Sequence, residues 1–256
     1  MRMSGFGRMW VAGAALLVMA ASGAGSAVGQ GGVVRSGTRA DGTQAAGVQA
    51  GSAVGGGSAG RVGDKTQRAT STPYAGNLQI FEYPERDKRL QIGRVMDLLG
   101  IEPGRSVADV GAGSGWFTVR AAQRVGPAGT VYAEDINPKA VEAIGERVRR
   151  ERLGNVQTVL GTADELKLAP KSLDAVLMLK VYHEIAHPVP VMRELRATLK
   201  PGAKVGIIDR NGNGSDHGLD RKVVEQEMEE AGFRVEGRYD FTKADGQDYF
   251  LVFMVR

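Results

Sequence analysis

The sequence predicts an α/β protein: a doubly wound sheet of about seven strands, mostly parallel with an antiparallel last strand. Three observations carry that prediction. From Pro73 onward, short runs rich in Val, Ile and Leu alternate with stretches of helical periodicity, the pattern of a parallel sheet with helices on both faces. A buried-looking run ending at Val110 leads directly into closely spaced glycines and then a helix. The last two strand-like runs follow one another with no helix between them, so the final strand should run against the others.

The elements follow in order. Ile92, Val95, Met96 and Leu99 recur at i, i+3, i+4 and i+7, so Glu85–Leu99 reads as one amphipathic helix closed by Gly100. Strands are expected over 105–110, 130–133, 156–160, 173–179, 204–209, 234–241 and 249–255. Helices are expected over 115–125, 138–153, 191–199 and 220–231, the third stopped by Lys200-Pro201-Gly202 and the fourth by Gly232. Asp245-Gly246, in the link between the last two strands, is a hairpin signal. In such sheets ligands bind at the carboxyl ends of the strands, where the strand order reverses.

The chain of 256 residues is 42% hydrophobic, which suits one domain with a sizeable core. It has no cysteine, which excludes disulfides, cysteine zinc sites, iron–sulfur clusters and thiol catalysis. No apolar run approaches the ~20 residues of a membrane span. Charge and composition divide the chain. Residues 1–72 hold 17 of the 37 glycines, seven basic residues and two acids. The remainder carries 26 basic and 27 acidic residues, so the folded part lacks the cationic excess expected of a nucleic-acid partner.

Residues 1–27 read as a secretory signal peptide: Arg2 and Arg8, then the apolar run 11–21, then small residues. Residues 28–72, rich in Gly, Ala and Ser and without an aromatic residue, read as a disordered tether. The domain proper is 73–256, exported to the periplasm, with the cytoplasm as the alternative should the leader be misread.

The chemistry centres on Asp109-Val110-Gly111-Ala112-Gly113-Ser114-Gly115. Glycines here let the chain turn sharply and a ligand approach the backbone, and the helix that follows offers free amide donors. A dinucleotide-binding turn places its third glycine three after the second. That position holds Trp116, and Gly115 comes one place earlier. The bulky ring would crowd a diphosphate, which argues against nicotinamide and flavin cofactors. Asp135 lies 20 residues after Gly115, at the end of the second strand, where a carboxylate can accept hydrogen bonds from both hydroxyls of a ribose. Strand alternation points Glu134 the other way. A polar loop (161–166) and a His/Tyr/Glu cluster (182–187) follow the next two strands.

With these landmarks in place, residues 82–256 resemble the class I S-adenosylmethionine-dependent methyltransferases, which have a Rossmann-like fold. The resemblance rests on DVGAGSG (109–115), YAEDI (132–136), GTADEL (161–166), SLDAVLMLKVYHEI (172–185), LKPGAKVGIID (199–209) and EAGF (230–233), in that order. GSDHGLDR (214–221) and DYFLVF (248–253) resemble an exported bacterial subgroup. The resemblance implies S-adenosylmethionine as cofactor. Gly111, Gly113 and Gly115, flanked by Asp109 and Ala112, would line its methionine part. Asp135, with Ile136 beside it, would hold the ribose. Thr162, Ala163 and Asp164 would meet the adenine, and Lys180 would lie near the methyl group.

Methyl transfer from a sulfonium is an in-line displacement with an activated leaving group, so the protein mainly aligns the acceptor and excludes water. A hydroxyl or ammonium acceptor needs a general base, for which His183 is the candidate. Tyr182 and Trp116 either wall the acceptor pocket or pack as buried core aromatics. His187 reads as a helix-start residue and His217 as a loop group. His183, His187, Glu184 and Asp209 can be arranged into a metal site, but no ligand spacing forces one and no metal is expected. Arg86 and Arg89 can greet an anionic acceptor or simply face solvent. The expected partner is a small-molecule or envelope acceptor, with neither nucleic acid nor membrane span. The alternatives are a non-catalytic nucleoside-binding module of the same fold and, from a different chemistry, a nicotinamide-dependent oxidoreductase.

Overall fold

The computed structural model describes residues 76–256 apart from Ser215. The expected signal peptide and tether lie outside the described residues. Seven strands form one sheet: β1 (Ser106–Val110), β2 (Thr130–Asp135), β3 (Val156–Leu160), β4 (Leu173–Leu179), β5 (Leu199–Asp209), β6 (Phe233–Tyr239) and β7 (Tyr249–Val255), in the order β3-β2-β1-β4-β5-β7-β6. β7 pairs antiparallel with both β5 and β6; the pairs among β1 to β5 are parallel. The expected seven-strand sheet with a reversed last strand is the one observed.

Alternation along β1 explains how both faces are covered. Ala108 and Val110 face one side, where α5 (Pro188–Thr198) and α6 (Arg221–Glu230) pack; Val107 faces the other, against α2 (Ile92–Leu99) and α3 (Trp116–Val125). The remaining long helix, α4 (Pro138–Glu151), starts with Asn137 accepting the Lys139 N–H and with proline in the first turn, the expected grammar of a helix start. Among the described residues no helix is long and apolar enough to cross a membrane.

Three boundaries depart from expectation for physical reasons. The leading helix is not continuous. It divides into α1 (Arg86–Leu90) and α2 at Gln91, whose φ is 53°. Leu90 and Ile92 are both buried, yet two residues apart in a helix they would face nearly opposite sides. The break lets both reach the core. β5 begins at Leu199 and takes in Lys200-Pro201-Gly202, with the register slipping between Leu173 and Ala175 of β4, so the proline sits in an irregularity where it deprives no ladder of a donor. The link before β7 is a 3-10 helix (Phe241–Asp245) closed by Gly246, in place of a tight hairpin turn. It packs back on α1: the Arg89 Nε donates to the Ala244 carbonyl at 2.7 Å, and the Tyr83 hydroxyl donates to Asp245.

Candidate active site

The strand order reverses between β1 and β4, and a cavity of about 670 Å³ opens at the carboxyl ends of those strands. That volume suits a drug-sized or nucleoside-sized ligand.

The turn after β1 forms the floor. Gly111 has φ 70° and lies against Val181: a Cβ added there would overlap the valine Cγ2 and sit 2.8 Å from its Cβ. Only glycine fits that approach. Gly113, φ 55°, aims its N–H at Asp135 and donates to Oδ2 at 2.8 Å. The Asn137 N–H donates to the other oxygen at 2.8 Å. Asp135 is therefore fixed by two backbone amides at the cavity wall. An ionised carboxylate accepts about four hydrogen bonds, so each oxygen keeps capacity for a ligand hydroxyl.

Two further acids share this end. Asp109 is 2% exposed and accepts the Thr118 hydroxyl at 2.6 Å. Burial pushes its carboxyl up to about 7, against the Thr118 hydrogen bond and with help from the charge of Asp135. Glu134 is likewise buried, its Oε1 has no hydrogen-bond partner, and burial followed by the Asp135 charge pushes it up to about 8. Glu134 and Asp135 do leave the strand on opposite faces, but the cavity straddles the strand end and both line it. Glu134 also explains Gly161: a side chain there would occupy the space of the Glu134 carboxylate. Three acids thus cluster at this end, two of them pushed by burial toward their neutral forms.

The counter-charges stand opposite. Arg86 is buried at the cavity wall, donates to the Phe81 carbonyl at 2.8 Å and lies 4.3 Å over the Trp116 ring. Burial lowers it to about 10. Arg120 covers Trp116 at 3.9 Å. Lys180, φ 61°, lines the cavity, held below the usual lysine range by burial and then by the Arg86 charge.

Of the residues singled out from sequence, Asp109, Gly111, Ala112, Gly113, Asp135, Ile136, Thr162, Ala163 and Lys180 all line this cavity, as does Trp116. Four do not. Gly115 caps α3 behind the wall, its Cβ position 3.2 Å from Ile144. Asp164 turns outward, where its carboxylate meets the His187 Nδ1 at 2.8 Å, so of residues 162–164 only Thr162 and Ala163 line the cavity. Tyr182 is fully buried in the core among residues packed under α5, so it does not wall an acceptor pocket. His183 is 2% exposed and sits one residue behind the wall. Its Nδ1 lies 2.8 Å from Asp209 Oδ2, and its Nε2 lies 3.8 Å from an oxygen of Glu184, which does line the cavity. Sequence reasoning missed Glu184 as a wall residue, along with Leu78 and Phe81 from the segment before α1. Arg86, which the sequence offers either as a contact for an anionic acceptor or as a solvated charge, is at the cavity wall, but its burial was not legible. Its one available signal was the aromatic pair Phe81 and Tyr83 immediately upstream.

Residues 107–202 match the family described as "Methyltransferase domain". The crystal structure of an S-adenosylmethionine-dependent methyltransferase from Aquifex aeolicus superimposes with a TM-score of 0.64 at 25% identity, over 70% of this chain and 97% of that one. The fold is that of an S-adenosylmethionine-dependent methyltransferase. Among curated proteins, an arsenite methyltransferase from Halobacterium salinarum is 31% identical over 48% of this chain and 32% of its own length. A ubiquinone/menaquinone biosynthesis C-methyltransferase from Ectopseudomonas mendocina is 30% identical over 44% and 45%. The chain thus spans less than half the length of these curated relatives. The likenesses support a methyltransferase with S-adenosylmethionine as cofactor.

Proposed function

We propose that the chain transfers a methyl group from S-adenosylmethionine to a small-molecule or envelope acceptor, and that it does so after export. The observation that carries the cofactor reading is Asp135, pinned by the Gly113 and Asn137 amides at the end of β2 and facing the cavity with acceptor capacity to spare. Its carboxylate receives the ribose hydroxyls. The methionine portion lies along Gly111–Gly113, and its ammonium is drawn to the acids Asp109 and Glu134. Ile136, Thr162 and Ala163 flank the adenine.

Transfer requires little of the protein beyond alignment. The acceptor's lone pair forms the new bond to the methyl carbon as the carbon–sulfur bond breaks, and that pair of electrons returns to sulfur, leaving a neutral thioether. Leu78, Phe81, Trp116 and Val181 supply apolar wall that keeps water from the sulfonium. The acceptor enters over Lys180, and its proton leaves at the Glu184–His183 end, where Asp209 orients the imidazole.

Isothermal calorimetry on the full chain tests the cofactor reading. S-adenosylmethionine should bind and NAD should not. Asp135→Ala should cost at least ~10-fold in affinity, since hydrogen bonds to a charged group contribute roughly 1.5–3 kcal/mol; an unchanged affinity would overturn the ribose assignment. Radiolabelled methyl transfer into cell-envelope extract tests the acceptor: cofactor binding with no labelled product would leave a nucleoside-binding module instead. Export is supported by the basic, apolar and small-residue order of residues 1–27, and a reporter active only outside the cytoplasm, fused to those residues, reads it directly.

A further inference from the structure

The chain has three histidines and no cysteine, and the fold brings two of those histidines together. His183 leaves the end of β4 and His217 hangs from the loop after β5; their rings stand edge to face with centroids 5.9 Å apart. Glu184 joins them, and one ligand atom from each of the three residues lies within 4.8 Å of the other two. Atoms bound to one ion at 2.0–2.2 Å in tetrahedral geometry lie about 3.4 Å apart. The three need to close by at most about 1.4 Å, and His217 sits on an exposed loop.

The cluster has an independent feature that points to a ligand. His183 is buried, and its Nε2 has no hydrogen-bond partner. A buried ring nitrogen left without one is costly. The other nitrogen, Nδ1, donates to Asp209 Oδ2 at 2.8 Å, and Asp209 also accepts the His183 and Arg210 backbone N–H groups, at 3.3 and 2.9 Å. That fixes the tautomer with the Nε2 lone pair aimed at Glu184 and His217, the carboxylate–histidine arrangement that stands behind bound metals. The loop is tied in the same manner. The Arg210 side chain donates to the carbonyls of His217 (2.9 Å) and Asp216, and His217 itself is held at φ 57°. A non-glycine residue in that conformation stores strain that tends to accompany function.

We propose that His183, Glu184 and His217 bind one divalent transition-metal ion, with Asp209 as the positioning residue behind His183. Two imidazoles and one carboxylate with positions left open suit Zn²⁺ or its neighbours in the series, rather than Mg²⁺ or Ca²⁺. Glu184 lines the cavity, so an open position faces the acceptor's approach. The ion's presence stands on this geometry alone; its role rests on the methyl-transfer reading. In that role it holds an acceptor oxygen whose proton passes to solvent, and the freed lone pair then attacks the methyl carbon while the sulfur departs with its bonding pair. His183 is then a ligand and not the base. The acceptor class narrows to molecules that present a hydroxyl or a comparable oxygen to a metal.

The test is equilibrium dialysis of the metal-stripped full chain against Zn²⁺, repeated with Co²⁺ to read its visible spectrum. One Zn²⁺ per chain is expected, with tetrahedral-type Co²⁺ absorption. His217→Ala lies on an exposed loop and should fold, which circular dichroism checks; it and Glu184→Gln should each lose at least about tenfold in Zn²⁺ affinity, and Asp209→Asn about 10- to 100-fold. S-adenosylmethionine affinity should stay within about twofold in His217→Ala, because His217 does not line the cofactor cavity. No saturable Zn²⁺ binding, or binding by folded His217→Ala as tight as the parent's, overturns the proposal. Zn²⁺ binding without S-adenosylmethionine binding supports the metal site and overturns the cofactor reading instead.

Discussion

The two ends of the cavity are built on different plans. The end proposed for the cofactor is backbone and short-range: Gly111 and Gly113 follow β1 directly, Asp135 closes β2 with Asn137 just beyond it, and the hydrogen bonds among them span at most 22 residues. The end proposed for the acceptor is assembled over long distances. Arg86 from the leading helix and Glu184 after β4 both line the cavity, and behind Glu184 stand His183, Asp209 from the end of β5 and His217 from the loop beyond. One end offers a fixed geometry to a ligand that barely varies. The other offers side chains and a loop, the material that substitution can change while the frame stays intact.

If that contrast is real, the largest penalty should come from disturbing the backbone of the cofactor end. Gly111→Ala forces a Cβ into Val181 and places alanine at φ 70°. Overlap and backbone strain together should destabilise the fold by about 3 kcal/mol, measured by urea denaturation. In a Val181→Gly background, which removes the valine Cβ as well as its methyls, the same substitution should cost only about 1 kcal/mol, the backbone part. Equal costs in both backgrounds would mean that Val181 does not set the glycine requirement.

A smaller effect should separate the acids from the amides within that end. Asp109 and Glu134 bind their protons more tightly folded than unfolded, with carboxyls raised from 3.8 to about 7 and from 4.5 to about 8. Stability from these groups is fully present where both states are protonated, below the unfolded values, and is lost as the pH climbs through 7 to 8. The cofactor-free protein should therefore melt at a lower temperature at pH 8.5 than at pH 5. Glu134→Gln should flatten that decline, gaining of order 1–2 kcal/mol at the alkaline end and little at the acid end. Parallel pH profiles for parent and variant would show that Glu134 stays ionised and finds a cation that the structure does not give it.

The same contrast explains what could be read in advance. The strand–glycine–helix turn and the acid one strand later are local patterns, and the structure brings Gly111, Gly113 and Asp135 together as their spacing implies. The reversed β7 was legible for a similar reason, since a missing crossover helix is a sequence-level fact, whereas the order of the strands in the sheet was not. What was not legible depends on tertiary position. Arg86 reads equally as an acceptor contact or a solvated charge until the break at Gln91 and the 3-10 helix at 241–245 enclose it at the cavity wall. Tyr182 reads as either a pocket wall beside His183 or a core aromatic, and the short 3-10 turn (Tyr182–Glu184) decides it by sending Tyr182 into the core and putting Glu184 at the cavity. Asp164 faces His187 because a loop oxygen takes the nearest exposed partner, a choice that no periodicity encodes.

The smallest effect belongs to the far edge of the sheet, which neither plan uses. Arg238 on β6 makes a two-pronged contact with Glu225 on α6, at 2.9 and 2.8 Å. The geometry is as good as any at the site, yet the arginine side chain is half exposed, so water screens the pair and competes for both groups. The Glu225 carboxyl is held below its usual range chiefly by that arginine, which shows that the contact is felt locally without making it important to the fold. Exposed pairs of this kind contribute under about 1 kcal/mol. Arg238→Ala should therefore change stability by no more than that and leave S-adenosylmethionine affinity untouched. A larger loss, or any loss of cofactor binding, would mean that β6 transmits strain through β7 and β5 to Asp209, and that the two ends are not as separable as their construction implies.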